Sequence, residues 1–171
     1  MRRLWFAAMV LIAGPAAAVL PAAYAPLVIE ARGLPERAEF DLSAALQRAR
    51  REHKSLYVYL GARDCAYCRK YEAFLDQNAS QLVPHFAARY IVVDLRSALS
   101  IQAPRLFFRS GGRSLAYADF MRALGDERAR QLVYPSVWLL GADARPLMQM
   151  PAGTGTFETV DEQLEILRLQ Q

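Results

Sequence analysis

Cysteine, lysine and histidine are all scarce in this chain. Cys65 and Cys68 are the only cysteines among 171 residues, Lys54 and Lys70 the only lysines, and His53 and His85 the only histidines. Two cysteines exclude a framework of several disulfides. Two histidines leave little material for a closed zinc site, which needs four ligands, and both lie at expected surface positions: His53 ends a charged helical pattern and His85 sits in a helix-to-strand connection. Excess charge of one sign is also lacking. The formal charge is +4, but without Arg2 and Arg3 it falls to 19 basic against 17 acidic residues scattered along the chain. That is too little to bind a nucleic-acid backbone, so no nucleic-acid partner is expected. The preference for arginine over lysine reads as genome composition rather than function. There is no internal repeat, low-complexity tract or linker that would set off a second domain, and 54% hydrophobic against 22% charged residues suits one globular core.

Charge is missing in a second way, since none occurs between Arg3 and Glu30. Two arginines, an apolar run and an alanine-rich end have the layout of a secretory signal peptide over residues 1–25. Ala23-Tyr24-Ala25 fits the small-x-small cleavage pattern but places Pro26 after the cut; cleavage after Ala18, using Ala16 and Ala18, competes with it. Left uncut, the uncharged stretch is long enough to act as an N-terminal membrane anchor. In either case the folded part is expected in the periplasm or an equivalent extracytoplasmic compartment, where disulfides persist.

Residues 26–40 read as an extended entry segment and residues 41–171 as the folded domain. "FDLSAALQRARREHKS" places Leu42, Ala45, Leu46 and Ala49 on one helical face, with Asp41 or Ser43 available as a cap. "SLYVYLGA" is a short aromatic and β-branched run, as in a strand buried on both faces. A helix is expected from Cys65 to about Gln77, with a further helical piece carrying Leu82 and Phe86 past Pro84. A second buried strand is expected at Tyr90–Leu95. The insert at about 96–132 contains "PRLFFRSGG" and then a helical pattern with Leu115, Phe120, Leu124 and Leu132 as core positions. "YPSVWLLGADARPLMQMPAG" reads as an antiparallel hairpin turning at Gly141 to Arg145. A last helix is headed by Thr159 and Glu162 in capping-box spacing, with an apolar stripe of Val160, Leu164 and Leu167. The expected fold class is α/β: a mixed sheet with helices on both faces, made of two parallel strands joined by a crossover helix and an antiparallel pair at one side.

The chemistry centres on "LGARDCAYC". A cysteine where a strand ends and a helix begins meets unpaired backbone N–H groups and the positive end of the helix dipole, which favour thiolate over thiol. Cys65 is therefore read as the nucleophile. Cys68, one turn later on the same face, is within disulfide reach, lies deeper and is read as the resolving thiol. Arg63, Arg69 and Lys70 add positive charge, while Asp64 opposes them. Two other readings stay open: a structural clip, which would restrain very little chain across three residues, and a copper or zinc handling site.

On these motifs the sequence resembles the thioredoxin family, from about Asp41 to the C-terminus. "LGARDCAYC" is similar to its active-site turn, "YPSVWLL" to the strand that opens with a cis-proline, and the following hairpin resembles its counterpart, with a glycine-bearing turn at Gly153 or Gly155. The resemblance implies a thioredoxin-like fold, a catalytic Cys65–Cys68 pair that forms a disulfide, and a docking role for Tyr134 and cis-Pro135 toward the extended backbone of a substrate protein. It implies no metal or organic cofactor. The partners it implies are substrate proteins with cysteines and a membrane-bound electron donor. Three departures stand out. Asp64 occupies the place of the usual tryptophan. The strand before the turn offers Tyr57 and Tyr59 but no buried acid, so a proton leaving the resolving thiol needs another route, such as water. The 96–132 stretch is longer than in a minimal member. The inner dipeptide Ala66-Tyr67 is not the Gly-Pro of cytosolic reductants. The expected function is an extracytoplasmic thiol-disulfide oxidoreductase, a reductant rather than an oxidant; the alternatives are a non-catalytic binding module with a permanent disulfide, or metal handling.

Overall fold

The computed structural model of the chain describes residues 19–125, 131–150 and 159–168. After a 3-10 turn at Ala22–Tyr24, the elements run β1 (Leu27–Glu30), β2 (Ala38–Asp41), α1 (Ser43–Glu52), β3 (Ser55–Ala62), α2 (Ala66–Gln77), α3 (Ala79–Arg89) and β4 (Tyr90–Ser97). They continue with β5 (Leu106–Ser110), β6 (Arg113–Ala116), α4 (Tyr117–Ala123), β7 (Ser136–Leu140), β8 (Pro146–Met150) and α5 (Val160–Arg168).

Five strands form the main sheet in the order β1-β4-β3-β7-β8. β3 and β4 run parallel, joined through the crossover of α2 and α3, while β7 and β8 add an antiparallel pair beside β3. β1 extends the sheet at the opposite edge, parallel to β4, which takes part of the 26–40 entry segment into the sheet. β3 sits in the middle, and its alternation divides the interior in two. Leu56, Val58 and Leu60 join one core with Phe40, Ala45, Leu46, Phe108 and Trp138, while Tyr57 and Tyr59 join a second with Tyr71, Leu75, Phe86 and Leu167. Covered on both faces, the strand reads as continuously apolar, because neither set of side chains meets water.

Local signals in the sequence explain the helix ends. The Asp41 carboxylate accepts the Ser43 N–H at 2.9 Å, satisfying one of the orphan donors of α1. Thr159 and Glu162 form the reciprocal capping box of α5, with both bonds at 3.3 Å. α3 runs through Pro84, an exposed position where the carbonyl left without its helical donor is open to water, and it buries Leu82 and Phe86 as expected.

The 96–132 stretch holds a helix, α4, shorter than expected, and adds a β-hairpin before it: Phe120 is buried on α4, but Leu115 falls on β6, where it pairs with Phe108, and Leu132 lies outside the helix. β5 and β6 pair antiparallel across Gly111 and Gly112, both at positive φ, where glycine carries no steric penalty. β5 in turn pairs parallel with β2, so a second, three-stranded sheet of order β2-β5-β6 stands beside the main one. Among its bonds, Glu39 receives Arg37, Arg109 and Ser114. The apolar side of this small sheet, Phe40 and Phe108, meets Phe120 and Trp138, with the Phe108 and Phe120 rings stacked at 4.5 Å between centroids.

Candidate active site

β3 delivers the chain to the sheet edge at Ala62, and α2 starts four residues on. Cys65 is the N-cap of α2, with extended backbone (φ −93, ψ 116) that turns the strand into the helix. Its Sγ accepts the Cys68 N–H at 3.0 Å, one of the unpaired donors of the first turn. The two cysteines form a disulfide, with their Cα atoms 5.2 Å apart. The Ala62 N–H points at the Cys68 sulfur from 3.5 Å. Both residues are buried, Cys65 at 2% exposure and Cys68 at 0%. Cys68 is the deeper of the two, and Cys65 is nearly as well covered.

The surroundings are built from loop ends that meet at this edge. Asp64 accepts the Leu99 N–H at 2.9 Å, which ties the segment after β4 to the turn before Cys65. The Arg63 N–H bonds to the Ser97 carbonyl at 3.1 Å, and the Ser97 hydroxyl pairs with the Tyr134 hydroxyl at 2.8 Å. Burial pushes the Tyr134 phenol up, the bond to Ser97 draws it down, and the Asp64 charge adds to the rise. The Tyr134–Pro135 peptide bond is cis and Pro135 is buried. Tyr134 packs against the core that contains both cysteines. Tyr67, between the cysteines, is 58% exposed and Leu99 is 51% exposed. His53 and His85 are both exposed, as expected. Among the described residues no group of three or more His, Cys, Asp or Glu side chains is placed to hold a metal ion. Gly153 and Gly155 lie outside the described residues.

β3 carries no carboxylate, as read, but its two neighbours do. Glu72 stands one turn after Cys68 on α2 and is buried; the Tyr59 hydroxyl donates to it at 2.7 Å. Asp94 on β4, paired in register with Tyr59, is 1% exposed and bonded to the Arg96 guanidinium at 3.3 Å. Burial raises both carboxyls above the ordinary range. The Asp94 charge adds to the rise at Glu72 and the Glu30 charge to that at Asp94, while the Val19 and Leu20 backbone amides favour the ionised forms of Glu72 and Asp94 respectively. Gly61 makes room for this arrangement, since a Cβ there would lie 2.5 Å from the Tyr59 ring. Deeper still, the Tyr57 and Tyr71 hydroxyls are paired, and Tyr71 donates to the side-chain amide oxygen Oε1 of Gln163 at 2.7 Å, anchoring α5 to the cysteine helix.

The sequence held signals for both acids. Glu72 interrupts the apolar stripe Cys68, Tyr71, Leu75, and Asp94 sits in the middle of a strand that is otherwise buried. Only the folded chain places them on either side of Tyr59.

A central mixed sheet, a disulfide formed by Cys65 and Cys68 at a strand-to-helix junction and a cis-proline opening the next strand define a thioredoxin-like domain. The family model described as thioredoxin-like matches residues 37–141, more than half of the chain. The protein belongs to the thioredoxin-like family. Among solved structures, it is similar to the pneumococcal exposed lipoprotein thioredoxin Etrx1 of Streptococcus pneumoniae strain TIGR4. That match has 13% identity and a TM-score of 0.41, and covers 72% of this chain and 89% of that one. A comparison with curated proteins finds no match.

Proposed function

We propose that the protein is an extracytoplasmic thiol-disulfide oxidoreductase that reduces disulfides in partner proteins. The observation that carries this reading is the Cys65 sulfur at the head of α2, accepting the Cys68 N–H at 3.0 Å. The same donor and the helix dipole stabilise a thiolate there once the pair is reduced. The Cys65 thiolate attacks one sulfur of the partner's disulfide, forming a mixed disulfide and releasing the partner's other sulfur as a thiolate. The Cys68 thiolate then attacks the Cys65 sulfur, closing the Cys65–Cys68 disulfide and freeing the partner's second thiol. Two electrons pass to the partner, and a membrane-bound dithiol donor restores the pair. Glu72 stands one turn beyond Cys68 on α2, and on this reading its ionised carboxylate accepts the Cys68 proton. Tyr134 and Pro135 line the docking edge.

The Cys68→Ser variant tests this, because it stops the exchange after the first step. A mixed disulfide between Cys65 and a partner protein is expected to accumulate in extracts of cells secreting it, and to be absent from the Cys65→Ser, Cys68→Ser double variant. No adduct with the single variant overturns the reading.

A second reading has one observation in its favour: both sulfurs are almost wholly covered, as in a permanent disulfide that supports a binding module. The reduction potential separates the two. A working couple is expected above about −300 mV, a structural bond below it.

A further inference from the structure

We propose that the leader is cut between Ala18 and Val19, and that residues 19–25 stay in the mature protein as a strap across α2 and α3. The two cleavage patterns in the sequence differ in what they would remove. A cut after Ala25 takes away Leu20 and Tyr24, which are 3% and 6% exposed and belong to the core that contains both cysteines. The Tyr24 hydroxyl donates to the Leu75 carbonyl at 2.8 Å near the end of α2, and its ring meets Phe86 of α3 edge-on at 5.0 Å. The strap closes on itself through the Ala22–Tyr24 turn, with Tyr24 N–H to the Pro21 carbonyl at 3.1 Å and Ala25 N–H to the Ala22 carbonyl at 2.9 Å. A cut after Ala18 leaves all of this in place.

The burial of the strap also bears on retention as an anchor. Leu20 and Tyr24 are committed to the fold, so the uncharged run free to enter a bilayer extends only from Leu4 to about Ala18. A spanning helix needs about 20 residues, and a run this short suits a cleaved leader. The covalent step is hydrolysis. Water adds across the Ala18–Val19 amide, catalysed by a membrane-bound signal endopeptidase with two small-residue pockets for Ala16 and Ala18. Ala18 leaves as a carboxylate on the leader, and Val19 becomes an ammonium group.

The test is the N-terminus of the full chain after expression in a bacterium with a general secretion pathway. Intact mass and N-terminal sequencing of the extracytoplasmic protein are expected to show a start at Val19. A start at Pro26, or a membrane-bound chain that keeps its leader, overturns the proposal. Ala18→Tyr, which blocks the small-residue pattern, is expected to leave an uncut precursor. If it instead yields a chain starting at Pro26 whose Tm lies within a few degrees of the original, the strap is dispensable and the proposal fails; removal of two buried side chains is expected to lower Tm by on the order of 10 °C. None of these readouts depends on redox activity, so they stand or fall apart from the function proposed above.

Discussion

Glu39 in the small sheet and Glu72 beneath the cysteine pair are both shielded from water, at 13% and 7% exposure, and their carboxyls are driven in opposite directions. Glu39 accepts bonds from the Ser114 hydroxyl and the Arg37 and Arg109 guanidiniums, which hold it down at about 2. Glu72 is met by a neutral phenol, that of Tyr59, and faces the like charge of Asp94; burial dominates and raises it. The same side chain is a clamp where cations surround it and a proton-binding group where they do not. Glu39 joins β2, β5 and β6 into one sheet. Glu72 stands one turn from Cys68 on α2 with its carboxyl raised by burial.

The largest effect is expected from breaking the clamp. Glu39→Gln removes the charge from a site with two guanidiniums and costs about 2 kcal/mol of stability at neutral pH, measured by denaturant unfolding. The pH dependence gives the sign. Between about 2 and the ordinary carboxylate range the unfolded chain binds the proton that folded Glu39 refuses, so this contribution is fully present above that range and is lost as pH falls through it. Glu39→Gln is expected to flatten this acid limb.

On the Glu72 side, Tyr59→Phe takes the phenol donor away from a buried carboxylate and is expected to cost about 1–2 kcal/mol, more at pH 8 than at pH 5, because the loss falls on the ionised form. Smaller still is Glu72→Gln. With a raised carboxyl the folded state holds a proton that the unfolded chain releases, so stability declines as pH rises from the ordinary carboxylate range to the raised value. Glu72→Gln is expected to change stability by less than about 1 kcal/mol at neutral pH while removing part of that decline. Asp94 retains the rest.

Much of this was legible in the sequence where periodicity and local chemistry act alone. The run Ser55 to Ala62, the cysteine spacing, Pro135 and the Thr159-Glu162 box all sit where short-range patterns place them. The hairpin between Leu106 and Ala116 was less visible, although Gly111-Gly112 is a turn signal, because its pairing with β2 spans more than sixty residues. The acid pair beneath the cysteines was hidden for the same reason. Glu72 and Asp94 meet Tyr59 only through sheet register and helix packing, which no local pattern encodes. The cover over Cys65 is likewise a tertiary property; the strand-to-helix junction says where the sulfur is, and nothing about what packs over it.

The most direct measurement is titration of the Cys65 thiolate by its ultraviolet absorbance in the reduced Cys68→Ser protein. A sulfur stabilised at the head of α2 is expected to titrate between about 3.5 and 7.5. A value near the 8.5 or so of an ordinary free cysteine would contradict the proposed exchange chemistry.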